Sequence, residues 1–274
     1  MTPAHALLLG ILQGATEFLP VSSSAHLALL PWFLGWEVDP QAGFLFDVLV
    51  QWGTLLAVLI YFRNDLLGMA RAAGAALLRG RPLESAPSRL FWFLGAATLP
   101  ATVAGLLFKG AVQAAFGSPR SMGLFLIGTA VLLFVGERWG RRERGLDTLR
   151  LTDALWIGLL QAVALLPGIS RSGATITGGL LRHLRRQDAA RFSFLMSIPA
   201  LLGAGVVALA DLSSLPQASE QLIPLLIGVL TAAAVGYLAI HGLLAFLARH
   251  SLTPFAFYCL TAGLFTLVVS IYRG

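Results

Sequence analysis

Two short stretches concentrate the residues able to do chemistry. Residues 13–26 read Q-G-A-T-E-F-L-P-V-S-S-S-A-H. On a helix, Gln13 and Glu17 stand four apart and share a face. Ser22 is placed to cap the helix that follows, and Ser23 and His26 share a face of its first turn. A carboxylate, the three hydroxyls of Ser22, Ser23 and Ser24, and an imidazole are the parts of an activated nucleophile. Residues 167–175 read P-G-I-S-R-S-G-A-T. Here Ser170, Ser172 and Thr175 offer hydroxyl donors, and Gly168 and Gly173 let the backbone come close to a ligand. Arg171 is a permanently charged fork suited to phosphate. This stretch opens a helix, whose first turn presents free N–H groups and the positive end of the dipole. The second stretch therefore describes an anion site. Glu17 is its odd partner, since a carboxylate repels phosphate: either a divalent cation bridges the two, or Glu17 transfers protons.

The elements that carry these residues belong to a membrane. The 274 residues are 57% hydrophobic and 12% charged, with a mean hydropathy of +0.80; a soluble domain carries about 25% charged residues. Several apolar runs reach the roughly 20 residues that a bilayer crossing needs. Six read as full crossings: 43–62, 89–109, 119–138, 190–210, 222–247 and 253–272. Residues 4–36 do not. As one straight helix they would span roughly 50 Å, too long for a core of about 30 Å; as two pieces each is too short to cross. A re-entrant helical hairpin broken at Pro20 solves the problem. Residues 153–185 repeat the arrangement, broken at Pro167 and Gly168. At such depth ionisable residues are expensive and by default functional. The plainer alternative is that Glu17 pairs with Arg171 as structural glue while the serines satisfy helix ends.

The two hairpins head two related halves, repeat one at 1–139 and repeat two at 153–274, of a single membrane domain covering 1–274. At an offset of 148 residues, Gly10 matches Gly158, Gln13 matches Gln161, Ser22 matches Ser170, Ser24 matches Ser172, and Phe44 and Phe46 match Phe192 and Phe194. Three crossings separate the copies, so the second is inverted and the two hairpin tips point towards each other near mid-membrane. The expected fold is an all-α polytopic membrane protein with six transmembrane helices and two re-entrant hairpins in inverted-topology repeats.

Charge orients it. The net charge is +6, and 15 of the 19 basic residues fall in loops on one side, at 63–89, 138–150, 182–191 and 249. The other side holds Lys109, Arg120 and Arg273, and its longest loop, Asp211 to Gln221, has no basic residue. The positive-inside bias puts both termini outside and explains the charge without a nucleic-acid partner. Residues 64–88, mixing arginines with Leu66, Leu67, Met69, Leu77 and Leu78, read as lying on the inner membrane surface. The single cysteine, Cys259, excludes an internal disulfide, there is no zinc spacing, and the N-terminus does not read as a cleaved signal. Asp47 and Gln51 share a face of the 43–62 crossing and are candidates to support the site from behind, with Thr54 nearby. Asp153 reads as a helix cap, and His5, His183, His241 and His250 as structural.

The two motifs resemble those of the undecaprenyl-diphosphate phosphatase family, the bacterial membrane enzymes linked to bacitracin resistance. Members show E/Q-x-x-x-E followed by F-L-P-V-S-S-x-x-H, and P-G-x-S-R-S-G-A-T; the stretches R-F-S-F-L-M-S-I-P-A at 191–200 and S-L-T-P-F-A-F-Y at 251–258 are similar too. The resemblance covers essentially the whole chain. It implies hydrolysis of a C55 polyprenyl diphosphate to the monophosphate on the outer face of the bacterial cytoplasmic membrane, recycling the lipid carrier of peptidoglycan synthesis. It casts Glu17 as the central acid, Ser23 as nucleophile, His26 as acid/base partner and Arg171 as phosphate clamp, with Ser22, Ser24, Ser170, Ser172, Thr175 and Gln13 as further substrate contacts. It also implies a divalent cation, Mg²⁺ or Ca²⁺, at Glu17. The expected partners are the polyprenyl diphosphate and membrane lipids, with a homodimer as a candidate assembly. Two departures matter: Gln13 stands where Glu is common, which weakens cation binding there, and Cys259 stands where some members carry Arg. Ser24 and Ala25 replace a commoner Thr-Gly, a minor change. Ser23 attack assisted by Glu17 or His26, and direct attack by water, are both open at this point. A lipid flippase or other secondary transporter is the rival class, because broken helices in inverted repeats also build transporters.

Overall fold

The structure, a computed structural model, describes residues 1–36, 40–116, 118–212 and 218–273. Among them the chain is helical and forms no β-strand. In order the helices are α1 (Pro3–Glu17), α2 (Ser23–Leu34), α3 (Pro40–Tyr61), α4 (Arg63–Leu78), α5 (Ala86–Leu107), α6 (Lys109–Phe116), α7 (Pro119–Trp139), α8 (Leu151–Val163), α9 (Arg171–Leu181), α10 (Arg186–Leu212), α11 (Ala218–Leu247) and α12 (Thr253–Tyr272). Their starts follow local chemistry. Thr2, Ser85, Ser118 and Ser170 each accept a backbone N–H from the first turn, and Pro3 and Pro119 occupy first positions that have no N–H to lose. The short helix α6 and a 3₁₀ turn at Leu146–Thr148 are additions to the sequence reading. Within the Asp211–Gln221 loop, residues 213–217 lie outside the described residues.

Four described helices are long and apolar enough to cross a membrane: Ala86–Leu107, Pro119–Trp139, Leu222–Leu247 and Thr253–Tyr272. A fifth appears if Phe46–Tyr61 and Arg63–Leu78, bent by 72° at Phe62, are counted as one span. This is the architecture of a multi-pass helical membrane protein. Past that bend α4 turns Met69, Ala73 and Ala76 inward and leaves Leu67, Leu77 and Leu78 exposed.

Both predicted hairpins are broken helix pairs, α1–α2 and α8–α9. Helix α1 packs along α11 and α8 along α5, while α3 packs on α10 and α7 on α12. A Cβ on Gly10 would lie 2.6 Å from the Gly228 carbonyl, and one on Gly158 only 2.3 Å from that of Ala97. The matched glycines thus let the first half-helix of each hairpin approach a long helix backbone to backbone. The core gathers Phe18, Phe62, Phe192 and Phe194, all essentially inaccessible; Phe18, in the first break, meets Phe194 of α10 edge-on at 5.2 Å.

The arginine-rich loops converge. Glu137 pairs with Arg142 and Arg186, Asp153 with Arg144 and Arg182, and Arg191 with Asp65. Loops that the charge distribution assigned to one side therefore share one end of the bundle. Asp153 also accepts the Arg150 backbone N–H at 3.1 Å at the start of α8, the structural role expected of it.

Candidate active site

The site forms where the two breaks touch. In the first, Pro20 cannot donate to the preceding turn; α1 ends at Glu17 and α2 begins at Ser23. Ser22 sits at the cap position with φ 70°, in the left-handed region, and its side chain makes no capping bond. This corrects the capping expectation: the backbone conformation aims the Ser22 hydroxyl at Ser24 (3.3 Å) and its carbonyl at His26. In the second break Gly168 takes φ 109°, where a side chain would strike the backbone of α7. There the Thr129 hydroxyl donates to the Gly168 carbonyl at 2.8 Å and accepts the Ser170 N–H at 2.9 Å.

Glu17 joins the two breaks. Its Oε1 accepts from the Arg171 guanidinium at 2.7 Å; its Oε2 accepts from the Ser23 hydroxyl at 2.6 Å and from the Gln13 amide at 2.9 Å. Glu17 is 7% exposed and Gln13 fully buried. Ser23 and Arg171 are the first residues of α2 and α9, and they occupy matching places in the two repeats. Each half-helix thus sends its N1 side chain to one oxygen of the same carboxylate. The short bond from Ser23 is charge-assisted and points the serine proton at a group able to take it.

The remaining predicted residues divide. Ser170 accepts the Gly173 N–H at 3.1 Å and bonds Ser172 at 3.1 Å, while Ser172 donates to the Leu19 carbonyl at 2.9 Å. Ser172 thereby ties the second break to the first, while Ser170 caps α9. Thr175 bonds the Arg171 carbonyl at 2.7 Å and the Ser193 hydroxyl at 2.6 Å. His26 is not brought onto Ser23 or Glu17: its Nε2 meets the Tyr258 hydroxyl at 2.6 Å. On α3, Gln51 spends its amide on the Asp47 carbonyl at 3.0 Å, and Thr54 is the residue that reaches Gln13, at 3.4 Å.

The family model described as Bacitracin resistance protein BacA matches residues 6–265. The chain belongs to this family. It is similar to the undecaprenyl-diphosphatase of Rubrobacter xylanophilus, 47% identical over 93% of each chain, and to that of Thermomicrobium roseum, 45% identical over 97% of each. The undecaprenyl-diphosphatase of Chlorobium phaeovibrioides is 44% identical over 98% of this chain and 97% of its own.

In this member of the BacA family, four supporting residues carry no motif signal of their own. Thr129 and Ser193 are hydroxyls inside apolar runs, where packing and chemistry look alike. Thr54 was visible as a polar residue but had no assigned contact, and Tyr258 lies in a family-like stretch without a stated role. As for a cation, Gln13 Oε1 is buried without a hydrogen-bond partner beside Glu17. Among the described residues no group of three His, Cys, Asp or Glu side chains could hold a metal. One carboxylate and one amide oxygen suit a hard cation that takes its other ligands from phosphate and water.

Proposed function

We propose that this chain hydrolyses undecaprenyl diphosphate to undecaprenyl phosphate and inorganic phosphate at the outer, periplasmic face of the bacterial inner membrane, recycling the lipid carrier of peptidoglycan synthesis. One observation carries the reading: Glu17 receives the Ser23 hydroxyl at 2.6 Å and the Arg171 guanidinium at 2.7 Å. A nucleophile, its base and a phosphate-binding cation meet where two half-helices begin. The names of the relatives point to the same substrate.

In this reading the chain makes six crossings with two re-entrant hairpins in inverted repeats, both termini outside. The exchange of packing partners between α1–α11 and α8–α5 supports it, as does the clustering of the arginine loops at one end. The diphosphate enters between the two hairpin tips, and Arg171 turns from Glu17 to the phosphoryl oxygens, where it and the helix N-termini stabilise developing charge. Glu17 takes the Ser23 proton as Oγ bonds the terminal phosphorus. The bond from that phosphorus to the bridging oxygen breaks, and polyprenyl phosphate leaves. Water then attacks the phosphoserine, regenerating Ser23 and releasing phosphate. Geometry favours Glu17 over His26 as the group that takes the serine proton, because the imidazole faces Tyr258. Gln13 and Glu17 would hold the Mg²⁺ or Ca²⁺. When bound, that ion supplies further neutralisation of phosphate charge.

The test is phosphate release from the C55 diphosphate by purified protein in detergent, without a gradient, comparing wild type with Glu17→Ala and Arg171→Ala. Release by wild type and its loss in both variants supports the enzyme; no release by wild type leaves the flippase or transporter class. Trapped phosphoserine at Ser23 separates the covalent route from direct attack by water.

A further inference from the structure

His26 is bound at both ring nitrogens. Nδ1 lies 2.8 Å from the Ser22 carbonyl and Nε2 lies 2.6 Å from the Tyr258 hydroxyl. A carbonyl only accepts, so Nδ1 carries the proton; in the neutral ring Nε2 then accepts the Tyr258 O–H. Because Nδ1 is tied to the first turn of its own helix, Nε2 is the nitrogen His26 can offer to a reacting group. Tyr258 occupies it. The two rings are nearly parallel, 13° apart with centroids at 5.6 Å, so the phenol is both partner and wall.

Tyr258 and His26 also share a cavity of about 210 Å³, lined chiefly by apolar side chains that include Leu29, Phe33, Leu126 and Phe265. The cavity lies between α1, α2, α7 and α12. Tyr258 is 46% exposed and Phe265 59%, so this wall reaches the outer surface of the bundle. His26 stands one helical turn after Ser23. His26 lines this cavity while Ser23 does not, so His26 joins the cavity to the helical turn that carries Ser23.

We propose that Tyr258 is a positioning residue that holds His26 out of the reaction until the first isoprene units of the substrate fill the cavity. The hydrocarbon displaces the Tyr258 ring, Nε2 is freed, and His26 turns towards the phosphoryl group as an acid or base. This rests on the polyprenyl-diphosphate reading above. The occupant follows from the chemistry of the cavity: apolar walls, a surface opening, and a polar end beside the proposed nucleophile.

The experiment measures kcat and KM for farnesyl diphosphate, which has three isoprene units, and for inorganic diphosphate, which has none. Wild type should turn over the prenyl substrate faster. Tyr258→Phe deletes one oxygen at a half-exposed position and frees Nε2 without substrate. The loss of one hydrogen bond should raise kcat on inorganic diphosphate about three- to tenfold, with KM within about twofold. The gap between the substrates should narrow, and in a His26→Ala background Tyr258→Phe should change nothing. An equal fall of kcat on both substrates would overturn the latch, as would no change on either, or the same rise without His26. Wild type that releases phosphate from neither of these nor from the C55 diphosphate refutes the diphosphatase reading instead.

Discussion

Replacing Glu17 by Gln preserves shape and removes only the charge that joins the two breaks. The carboxylate side chain is 5% exposed and that of Arg171 16%. Breaking a buried ion pair by neutralising one member costs about 3–5 kcal/mol. Arg171 keeps some solvent and a bond to the Ser193 carbonyl at 3.4 Å, so the low end, about 3 kcal/mol of stability, is expected. The effect on rate is separate. An amide cannot take the Ser23 proton, and a general base is worth about 10²–10⁴ in rate, or about 3–5 kcal/mol of barrier. Turnover per folded molecule should therefore fall at least a hundredfold, with KM changed far less. The assay is phosphate release from polyprenyl diphosphate by monodisperse protein in detergent, with thermal unfolding of the same sample. If Glu17 acts through Ser23, Glu17→Gln/Ser23→Ala should be no slower than the slower single variant, because the two remove one unit. Glu17→Gln retaining turnover within threefold of wild type would refute the assignment of Glu17 as base. A double variant slower by the product of the two single effects would show that the residues act independently.

Ser23→Ala should lose at least about a hundredfold in turnover with little change in unfolding temperature, since Ser23 is only partly buried; phosphate release close to wild type would leave water as the attacking group. Asp153→Asn strips Arg144 and Arg182 of their shared buried carboxylate and should cost about 3 kcal/mol, read as a lower unfolding midpoint, while turnover of the folded fraction stays at wild type. Gly158→Ala places a methyl 2.3 Å from the Ala97 carbonyl and should cost about 1–3 kcal/mol by forcing α5 and α8 apart; an unchanged midpoint would show that the helices separate freely. Ser22→Gly relieves the left-handed backbone at φ 70° and loses no capping bond, so stability should stay level or rise by about 1 kcal/mol. A fall of more than that would mean that the Ser22 hydroxyl holds the turn.

The helical membrane class, the two breaks and the polar residues gathered around Glu17 were legible in the residues alone. These are local properties: apolar runs of bilayer length, Pro20 and Gly168 where no regular helix continues, and short spacings, one turn from Gln13 to Glu17 and one break from Glu17 to Ser23. The matched glycines Gly10 and Gly158 were legible as part of a repeat, but their approach to Gly228 and Ala97 was not. The Arg171–Glu17 bond crosses 154 positions. The residue types allowed it, as the plainer structural alternative, yet only packing of the two breaks against each other creates it. Packing between helices set the Ser172 bond to the first break and the Thr175 bond to Ser193, and it recruited Thr129, Thr54 and Ser193 from three other helices. It also turned His26 away from Ser23. Helical spacing places those two on one face, but an imidazole settles where both nitrogens find partners, and the second partner, Tyr258, arrives from the last helix of the chain.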